Sequence, residues 1–192
     1  MTDRRTIFRT PVLATFFYWV ARFFMRLRGW KVDGVVPAGK FVIIAAPHTS
    51  NWDLPLTLGV IFTLKVDIRW IGKDALFIGW KGPIMRWLGG IAVDRSASND
   101  MVSQMISKVN QADEILLCIT PEGTRSKVRE WKSGFYHIAR GASVPILPFC
   151  VHAQTKTVGI AEPFVAGQDQ EADFAALKSL YEGHDGIRKE LG

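Results

Sequence analysis

The feature that most constrains the fold is a series of short apolar runs that alternate with longer segments of helical periodicity. Four runs have the length and composition of buried strands, at residues 41–46, 68–72, 89–95 and 114–119. Between them lie an apolar helix and an amphipathic helix, at residues 54–64 and 99–112. Strands that alternate with helices predict an α/β fold, in which helices cover a mixed, largely parallel sheet. A chain of 192 residues is long enough to form one such domain with a full core.

Residues 144–151 form a fifth apolar run, in which Pro145 and Pro148 lack backbone donors. Because proline cannot donate to a ladder, we predict that this strand lies at a sheet edge or contains a bulge. The remaining pattern predicts a helix over 132–139 that stops at Gly141, a late strand over 155–160 and a last helix over 171–181.

The first thirty residues differ from the rest, so we treat residues 1–30 as a segment that precedes a single domain at 31–192. Its uncharged run, residues 11–21, lies between arginines and is shorter than the roughly 20 apolar residues that cross a bilayer. At helical spacing Arg22 and Arg26 share one side, and aromatic residues cover most of the others. This pattern is typical of an amphipathic, membrane-associating helix. The alternative is an aromatic helix packed on the core of its own domain.

Charge and aromatic content narrow the class of partner. A net charge of +6 and a pI near 9.5 favour a membrane surface, a phosphorylated substrate or nucleic acid. Seven tryptophans and twelve phenylalanines favour lipid among these, because amphipathic aromatic side chains prefer the membrane interface. Cys118 and Cys150 lie within apolar runs and lack the spacing of metal ligands, so we expect buried free thiols of a reducing compartment.

Polar side chains that can do chemistry directly follow four of the predicted strands. They are His48, Lys73, Arg95 and the loop residues Glu122, Gly123, Thr124 and Arg125. In open α/β sheets, ligands bind outside the carboxyl ends of the strands. Because four separate segments deliver these groups, the pattern predicts one site at one edge of the sheet.

His48 lies in a predicted strand-to-helix turn, five residues before Asp53. The carboxylate can orient the imidazole and stabilise the imidazolium that forms when the ring takes a proton. A capping aspartate beside a structural histidine has the same spacing. The sequence has no Gly-x-Ser-x-Gly segment and no cysteine adjacent to a histidine, so it indicates no protein nucleophile. We infer that His48 would act as a general base on a substrate hydroxyl that attacks an activated carbonyl.

The cations would hold an anionic part of the same substrate. Arg95 and Arg125 suit a phosphate group, because a guanidinium donates two parallel hydrogen bonds, and Lys73 adds a further positive charge. Glu122 either accepts a hydrogen bond from a substrate hydroxyl or orients an arginine. The backbone amides of the turn at residues 123–124 can bind the phosphate or the developing oxyanion.

Residues 75–88 are apolar, aromatic and interrupted by glycines. The pattern predicts short helices in this segment. Phe77, Trp80, Ile84 and Trp87 form either a surface for acyl chains or part of the core, and the sequence supports both interpretations equally.

Four sequence blocks occur in a fixed order over residues 41–150, most of the chain. They are H-x4-D at residues 48–53, a glycine-to-arginine block at 90–95, P-E-G-T-R-S at 121–126 and V-P-I-x-P at 144–148. In this order and at this spacing they resemble the glycerolipid acyltransferase family, typified by 1-acylglycerol-3-phosphate (lysophosphatidate) acyltransferases.

The resemblance implies the fold of that family and direct acyl transfer from acyl-CoA or acyl carrier protein to a lipid hydroxyl, without an acyl-enzyme. It implies that His48 is the base and Asp53 its orienting partner. By the same resemblance Arg95, Glu122 and Arg125 bind the acceptor head group. Lys73 falls where the family often has a lysine, and the V-P-I-x-P block is linked to the acyl donor or the shape of its pocket.

The resemblance also implies a lysolipid acceptor, phosphatidate as the product and a place in phospholipid biosynthesis. No cofactor is implied beyond the thioester co-substrate. An N-terminal helical membrane anchor occurs in the family, so the implied location is peripheral or monotopic, on the cytoplasmic face of a membrane.

Two positions depart from the family pattern. Asp94 adds a negative charge beside the proposed phosphate site, and Thr120 stands where phenylalanine is usual. These departures leave the implied fold and reaction unchanged. They keep another lysolipid, such as a lyso-aminolipid, open as the acceptor.

Two functions of other classes compete with this interpretation. A metal-dependent hydrolase could use His48 and Asp53 with one of His137, His152 or Glu122, but no H-x-x-x-H or H-E-x-x-H spacing supports it. A binding module without catalysis would need a continuous basic patch, whereas these basic residues fall at strand ends beside a His–Asp pair. The sequence therefore predicts neither a metal site nor a nucleic-acid partner.

Overall fold

The computed structural model of the chain describes residues 6–46, 53–93, 98–122 and 130–183, without the side chains of residues 53–54 and 98–100. Within these ranges one sheet contains seven strands: β1 (Lys31–Asp33), β2 (Lys40–Ala46), β3 (Ile68–Lys73), β4 (Gly90–Val93), β5 (Ile115–Ile119), β6 (Ile146–His152) and β7 (Thr157–Ile160). Their order across the sheet is β1-β7-β6-β2-β5-β3-β4. The five strands from β6 to β4 are parallel, and β7 runs antiparallel to β6. The predicted mixed, largely parallel sheet is confirmed.

The helices of the described ranges are α1 (Pro11–Arg28), α2 (Asp53–Leu64), α3 (Lys81–Trp87), α4 (Ser98–Gln111), α5 (Gly134–Gly141) and α6 (Gln170–Ser179). Short 3-10 turns precede α1 and α3, at Ile7–Arg9 and Asp74–Phe77. The helices predicted over 54–64, 99–112 and 171–181 are confirmed. Their periodicity located them because each buries one side on the sheet.

The helices cover both faces of the sheet, because successive side chains of a strand point to opposite faces. On one face Ile43 of β2 belongs to the same buried cluster as Met25 of α1 and Val60 of α2. On the other face Ile44 belongs to a cluster with Met105 of α4 and with residues of α5 and α6. The protein therefore has three layers, with a helical layer on each side of the sheet.

The inner side of α1 packs on the domain. The helix begins at Pro11, whose fixed φ suits the first helical position, and it is closed by Gly29 with a left-handed φ of 72°. Ala21 and Met25 are buried, and Met25 lies so close to Gly59 of α2 that a Cβ there would come within 2.9 Å of its sulfur. A helix is therefore present in this segment, and the packing alternative is correct for its inner side.

The outer side of α1 is exposed and apolar. It carries Val12, Phe16, Trp19, Val20, Phe23 and Leu27, which are 46–81% exposed, and we call this set the outer face of α1. Arg22 and Arg26 lie along one border of this face and are also exposed. No helix in the described part of the chain combines the length and apolar content needed to cross a bilayer.

The segment before α1 is fixed to the start of β3. Thr6 Oγ1 donates a hydrogen bond to Asp67 Oδ1 at 2.9 Å, and Arg9 Nε lies 2.6 Å from Asp67 Oδ2. Thr6 is fully buried, so its hydroxyl needs this partner. The described part of the N-terminal segment therefore packs on the same core as the sheet.

Of the two explanations predicted for Pro145 and Pro148, the edge position is wrong, and a bulge is present in the segment opposite Pro148. β6 lies inside the sheet, between β2 and β7. Phe149 pairs with Ile160, and Ile146 forms a bridge with Phe164. Between these two pairs lie two residues on β6 but three residues on the segment opposite, between Ile160 and Phe164, and this unequal count defines a bulge. Pro148 lies at this bulge, where the regular ladder is already interrupted.

The helix predicted to stop at Gly141 instead includes it. α5 ends with Gly141, and the left-handed residue that follows is Ser143, with φ of 53°. A Cβ at Gly141 would overlap Ile106 Cδ1 of α4. The glycine therefore serves the close contact between α4 and α5 and does not terminate the helix.

Candidate active site

The parallel strands end at one level. Ala46 at the end of β2 is in register with Cys150 of β6, and Lys73 at the end of β3 is in register with Val93 at the end of β4. A ligand outside this edge therefore meets the ends of neighbouring strands together.

β5 connects these two pairs of strands. Ile44 of β2 is paired with Ile119 of β5, and Trp70 of β3 is paired with Cys118. Counting on along each strand, the ends of β2 and β3 are both level with Pro121, directly after β5. The carboxyl ends of β2, β3, β4 and β5 thus share one edge, whereas most of the polar residues that follow these strands lie outside the described residues.

The turn that carries His48 begins where β2 ends and finishes where α2 begins. β2 ends at Ala46 and α2 starts at Asp53, so the predicted strand and helix on either side of the turn are confirmed. Residues 47–52 and the side chain of Asp53 lie outside the described residues. The contact between His48 and Asp53 therefore stays a prediction.

The remaining predicted site residues follow β3, β4 and β5. Lys73 ends β3 and is exposed, and Glu122 follows β5 and is half-buried. Lys132 N donates a hydrogen bond to Pro121 O at 2.8 Å, which closes the base of the loop that begins with Glu122. The predicted residues that lie outside the described ranges are Arg95, Gly123, Thr124 and Arg125.

The topology of the sheet reverses between β2 and β5. These strands are neighbours, but the helices that follow them cover opposite faces, because α2 packs with α1 whereas α5 packs with α4. Such a reversal opens the sheet at the carboxyl ends, which is where open α/β sheets bind ligands. The segment with His48 follows β2 and the segment with Glu122 follows β5, so the two segments adjoin this reversal in the chain.

The position of β4 limits how Arg95 can contribute. β4 lies three strand spacings from β2, which is about 14 Å at the usual separation of neighbouring strands. Arg95 can share a ligand with His48 only if its side chain extends back over the end of β3. Lys73 ends β3, which lies between β2 and β4. Its ammonium group would contact an anionic ligand between the part held by His48 and the part held by Arg95.

Tyr181 contacts β2 two residues before the end of that strand, and the sequence pattern did not single it out. Its hydroxyl donates a hydrogen bond to the carbonyl of Ile44 at 3.0 Å, near the carboxyl end of β2. Its ring contacts that of Trp131 edge-on, with centroids 5.2 Å apart. Burial, and then the neighbouring Cys150, raise the pKa of Tyr181 well above its ordinary value, so the hydroxyl stays protonated as a donor. Tyr181 thus ties the segment after α6 to the strand that delivers His48.

We expect Tyr181→Phe to lower the free energy of unfolding by about 1 kcal/mol, because it removes one hydrogen bond and keeps the ring. A denaturant titration measures this change. Tyr18→Phe is the matched control, since its hydroxyl accepts an exposed hydrogen bond from Arg22. The control should change stability by less than about 0.5 kcal/mol. Equal effects of the two substitutions would contradict the role given to Tyr181.

The two cysteines are free thiols, and neither is activated as a nucleophile. Cys150 is buried and Cys118 is half-buried, so the prediction of buried free thiols is confirmed for Cys150 and not for Cys118. Burial raises the pKa of Cys118 to about 12 and that of Cys150 to about 11. Both thiols are therefore neutral at pH 7, whereas the thiolate is the reactive form.

We expect the native protein to resist iodoacetamide at pH 8, because neither thiol ionises there and both lie in the interior. In denaturant the pKa of each thiol returns toward its ordinary value, and both should react. Intact-mass spectrometry would then show two adducts after unfolding and none before. Rapid alkylation of the native protein would contradict this result and reopen a covalent acyl-cysteine route.

The histidines considered as metal ligands occupy different positions. His137 is exposed on α5, whereas His152 ends β6, half-buried and at the same sheet edge as the end of β2. The described residues contain no group of three His, Cys, Asp or Glu side chains that could hold a metal ion. His48 lies outside those residues, so the hydrolase alternative remains untested.

The aromatic segment after β3 divides between core and surface. Phe77 is buried against Trp70, with ring centroids 6.0 Å apart, and Trp87 is half-buried with its Nε1 3.4 Å from Thr10 Oγ1. Trp80 and Ile84 are exposed. The predicted short helices are confirmed, and each of the two interpretations is correct for part of the segment.

Comparison with known proteins agrees with this architecture. A model of the Acyltransferase family matches residues 30–152, which extend from the residue before β1 to the end of β6. A crystal structure of the 1-acyl-sn-glycerophosphate (LPA) acyltransferase PlsC from Thermotoga maritima has the same fold, with a TM-score of 0.65 at 21% identity. The matched region covers 88% of this chain and 77% of the Thermotoga maritima chain.

Two curated relatives are similar in sequence. The probable 1-acyl-sn-glycerol-3-phosphate acyltransferase of Mycoplasma pneumoniae is 32% identical over 148 residues, which are 70% of this chain and 54% of that protein. The 1-acyl-sn-glycerol-3-phosphate acyltransferase of Salmonella typhimurium is 30% identical over 144 residues, which are 70% of this chain and 58% of that protein. The chain thus spans little more than half the length of these relatives. The family model matches residues 30–152, which are most of this chain. This match confirms the family resemblance that the four sequence blocks indicated, and the chain belongs to the Acyltransferase family.

Proposed function

We propose that this protein is an O-acyltransferase that moves an acyl group from a thioester to the hydroxyl of a lysolipid. The proposed acceptor is 1-acylglycerol-3-phosphate, which gives phosphatidate. The observation that carries the proposal is the reversal of topology between β2 and β5, the strands that precede His48 and Glu122 in the chain. Family membership and the names of the two relatives support the reaction class and the acceptor.

In the proposed reaction His48 takes the proton of the acceptor hydroxyl while the hydroxyl oxygen attacks the thioester carbonyl. Asp53, the first residue of α2, orients the imidazole and stabilises the imidazolium. A C–O bond forms, the C–S bond breaks, and the departing thiolate takes the proton back from the imidazolium. The protonated, interior thiols of the two cysteines support a direct transfer without an acyl-cysteine.

The cations after β3, β4 and β5 bind the head group in this proposal. Arg125 follows β5 in the chain and would hold the phosphate in a bidentate contact. Lys73 and Arg95 extend the positive region toward the edge strand β4. Glu122 orients one of these arginines or accepts a hydrogen bond from the glycerol, and the amides of residues 123–124 stabilise the oxyanion.

The acyl donor in the proposal is acyl-CoA or acyl carrier protein, and no cofactor is required beyond this thioester. Asp94 keeps a second acceptor class in competition, because a carboxylate beside the head group would repel a phosphate and attract an amine. A lyso-aminolipid is therefore the alternative acceptor. Water as the acceptor, activated by a metal at His48, would make the protein a hydrolase.

Thiol release from acyl-CoA tests the proposal. The panel of acceptors contains lysophosphatidate, a zwitterionic lysophospholipid, a lyso-aminolipid and a blank without acceptor, each with and without chelator. We expect the fastest release with lysophosphatidate and no loss of rate with chelator. Fastest release with the lyso-aminolipid would change the acceptor. Release that needs no acceptor and disappears with chelator would contradict acyl transfer.

We also propose that the protein acts at a membrane surface, as a peripheral or monotopic protein on the cytoplasmic face. The outer face of α1 supports this location, since it presents aromatic and aliphatic side chains bordered by Arg22 and Arg26. α1 ends near the carboxyl edge of the sheet. The strand that follows it, β1, starts beside the first residue of β7, and that residue is paired with the last residue of β6. A membrane in contact with the outer face of α1 would present lysolipids beside the proposed site.

A further inference from the structure

The exposed apolar surface of the protein is concentrated on one helical layer. The described residues expose fifteen large apolar side chains, and twelve of them lie on α1, on α2 or between residues 74 and 87. The remaining three are Val35, Val165 and Leu180. Trp87 at the end of α3 packs in one cluster with Phe17 of α1 and Phe62 of α2, so these elements form a single layer. The outer face of α1 accounts for only part of this apolar surface.

The part that α1 does not explain is centred on residues 78–80, which we call the Trp80 turn. Ile78 is 70% exposed and Trp80 is 76% exposed, and Gly79 between them has a left-handed φ of 61°. A Cβ at Gly79 would meet no atom within 4 Å, so the turn projects into open space. The turn begins five residues after Lys73, which ends β3 at the carboxyl edge of the sheet.

The base of this turn is packed tightly, although its tip is exposed. Phe77 is 6% exposed and fits against Gly72 of β3 and Gly90 of β4, where a Cβ would come within 2.9 Å and 2.8 Å of its ring. These two glycines let the ring reach the sheet. The tip is therefore a projection held by a buried anchor, and its exposed side chains face away from the core.

The charges around the turn are mostly positive. Residues 68–93 contain four cations and one acid, Asp74, whose carboxylate accepts a hydrogen bond from Ala75 N. Lys73 and Lys81 are exposed, and the ammonium of Lys81 lies 5.8 Å from the centre of the Trp80 ring. An aromatic side chain beside lysines matches the interface of an anionic bilayer, where the ring enters the head-group region and the ammonium groups meet phosphates.

We propose that the Trp80 turn is a second membrane contact, inserting Ile78 and Trp80 into the interface of an anionic bilayer. The proposal deepens the proposed function, because it places a lipid surface at the edge where the acceptor would bind. A convex projection suits a bilayer better than an acyl chain, since it cannot enclose the chain. With α1 as the other contact, the helical layer rests on the membrane at two points.

Vesicle binding by the full chain tests this contact. The probe is a vesicle of phosphatidylglycerol and phosphatidylcholine, without lysolipid or thioester, so the result does not depend on turnover. The double variant Ile78→Ser, Trp80→Ser should bind these vesicles about tenfold more weakly, or weaker still, in cosedimentation. The matched control is Val35→Ser, Val165→Ser, which removes side chains that are 78% and 77% exposed elsewhere. The control should bind like wild type, and both variants should melt like wild type.

A site-specific probe separates insertion from indirect effects. Ile78→Cys can be labelled with an environment-sensitive fluorophore, since the native thiols are protonated and interior. Its emission should rise and shift to the blue when vesicles are added, and the same label at Val165→Cys should not respond. Unchanged vesicle binding by the double variant, or a label at position 78 that stays in water on bound protein, would overturn the proposal. If the double variant changes only the KM for long-chain thioesters, the turn contacts the acyl chain. If the turn mediates self-association, it contacts a second copy of the protein. Either result would also overturn the proposal.

Discussion

Replacing His48 with alanine is expected to reduce acyl transfer by about a hundredfold to ten-thousandfold, the range in which a general base contributes. His48 lies in the turn beyond the end of β2, so the substitution should leave the melting temperature near that of wild type. Initial rates of thiol release at saturating lysophosphatidate measure the effect. The loss should appear in kcat, because a base acts in the transition state more than in binding.

Two further variants frame this measurement. Asp53→Asn should lower kcat less than His48→Ala, since the base remains but loses the partner that orients it. His137→Ala is the matched control, because His137 is an exposed histidine on α5, and its rate should equal that of wild type. If His48→Ala retains as much activity as His137→Ala, the general base has been assigned to the wrong residue.

Replacing three residues of the outer face of α1 is expected to release the protein from vesicles. The variant is Phe16→Ser, Trp19→Ser, Phe23→Ser. Each of these side chains would contribute roughly 1.5–3 kcal/mol if membrane binding buried it fully, so partial burial of all three predicts a loss of about a thousandfold or more. Cosedimentation with anionic vesicles measures the loss. The side chains are exposed in the folded protein, so its thermal stability should not fall.

The inner side of α1 supplies the opposite control. Met25→Ala should lower the free energy of unfolding by about 2–5 kcal/mol, because it opens a cavity against α2, yet the folded variant should still bind vesicles. Deleting residues 1–28 is a poor test, since it would also remove Met25 and the Thr6–Asp67 hydrogen bond. Vesicle binding by the triple variant that is as strong as that of wild type, or loss of binding in folded Met25→Ala, would contradict a membrane role for the outer face.

The sequence predicted those parts of the fold that depend on local patterns. The strands that carry the site are continuous apolar runs because both of their faces are buried, as for Val42 and Ile43, which are each 0% exposed. The polar residues at the ends of these strands could be recognised for the same reason, because a polar residue cannot continue a buried apolar run. The common edge then followed from parallel topology, and the register of Lys73 with Val93 confirms it.

The errors arose where packing between distant segments decides the structure. Pro148 seemed unsuited to an inner strand, but a bulge opposite it removes the need for its donor. Gly141 resembled a helix stop, whereas its role is to let Ile106 approach α5. Both features require knowledge of the neighbouring element, which a local pattern does not contain.

Two features of the site could not be predicted for a similar reason. Tyr181 lies 137 residues from the carbonyl that it contacts, and nothing near it in sequence indicates β2 as its partner. Periodicity likewise placed aromatic residues around most of α1. Only the packing of Met25 and Ala21 separates the inner side from the outer face with Phe23. Long-range contacts therefore decided both which side of α1 is exposed and what supports the strand before His48.

Transfer of an isotope-labelled acyl chain tests the central claim most directly. The protein is incubated with labelled acyl-CoA and lysophosphatidate, and mass spectrometry follows the label in lipid, in free fatty acid and on the protein. We predict that labelled phosphatidate appears in equal amount to the thiol released, that no label stays on the protein, and that His48→Ala forms no product. Label that accumulates in free fatty acid, or on the protein, would contradict direct acyl transfer to a lipid hydroxyl.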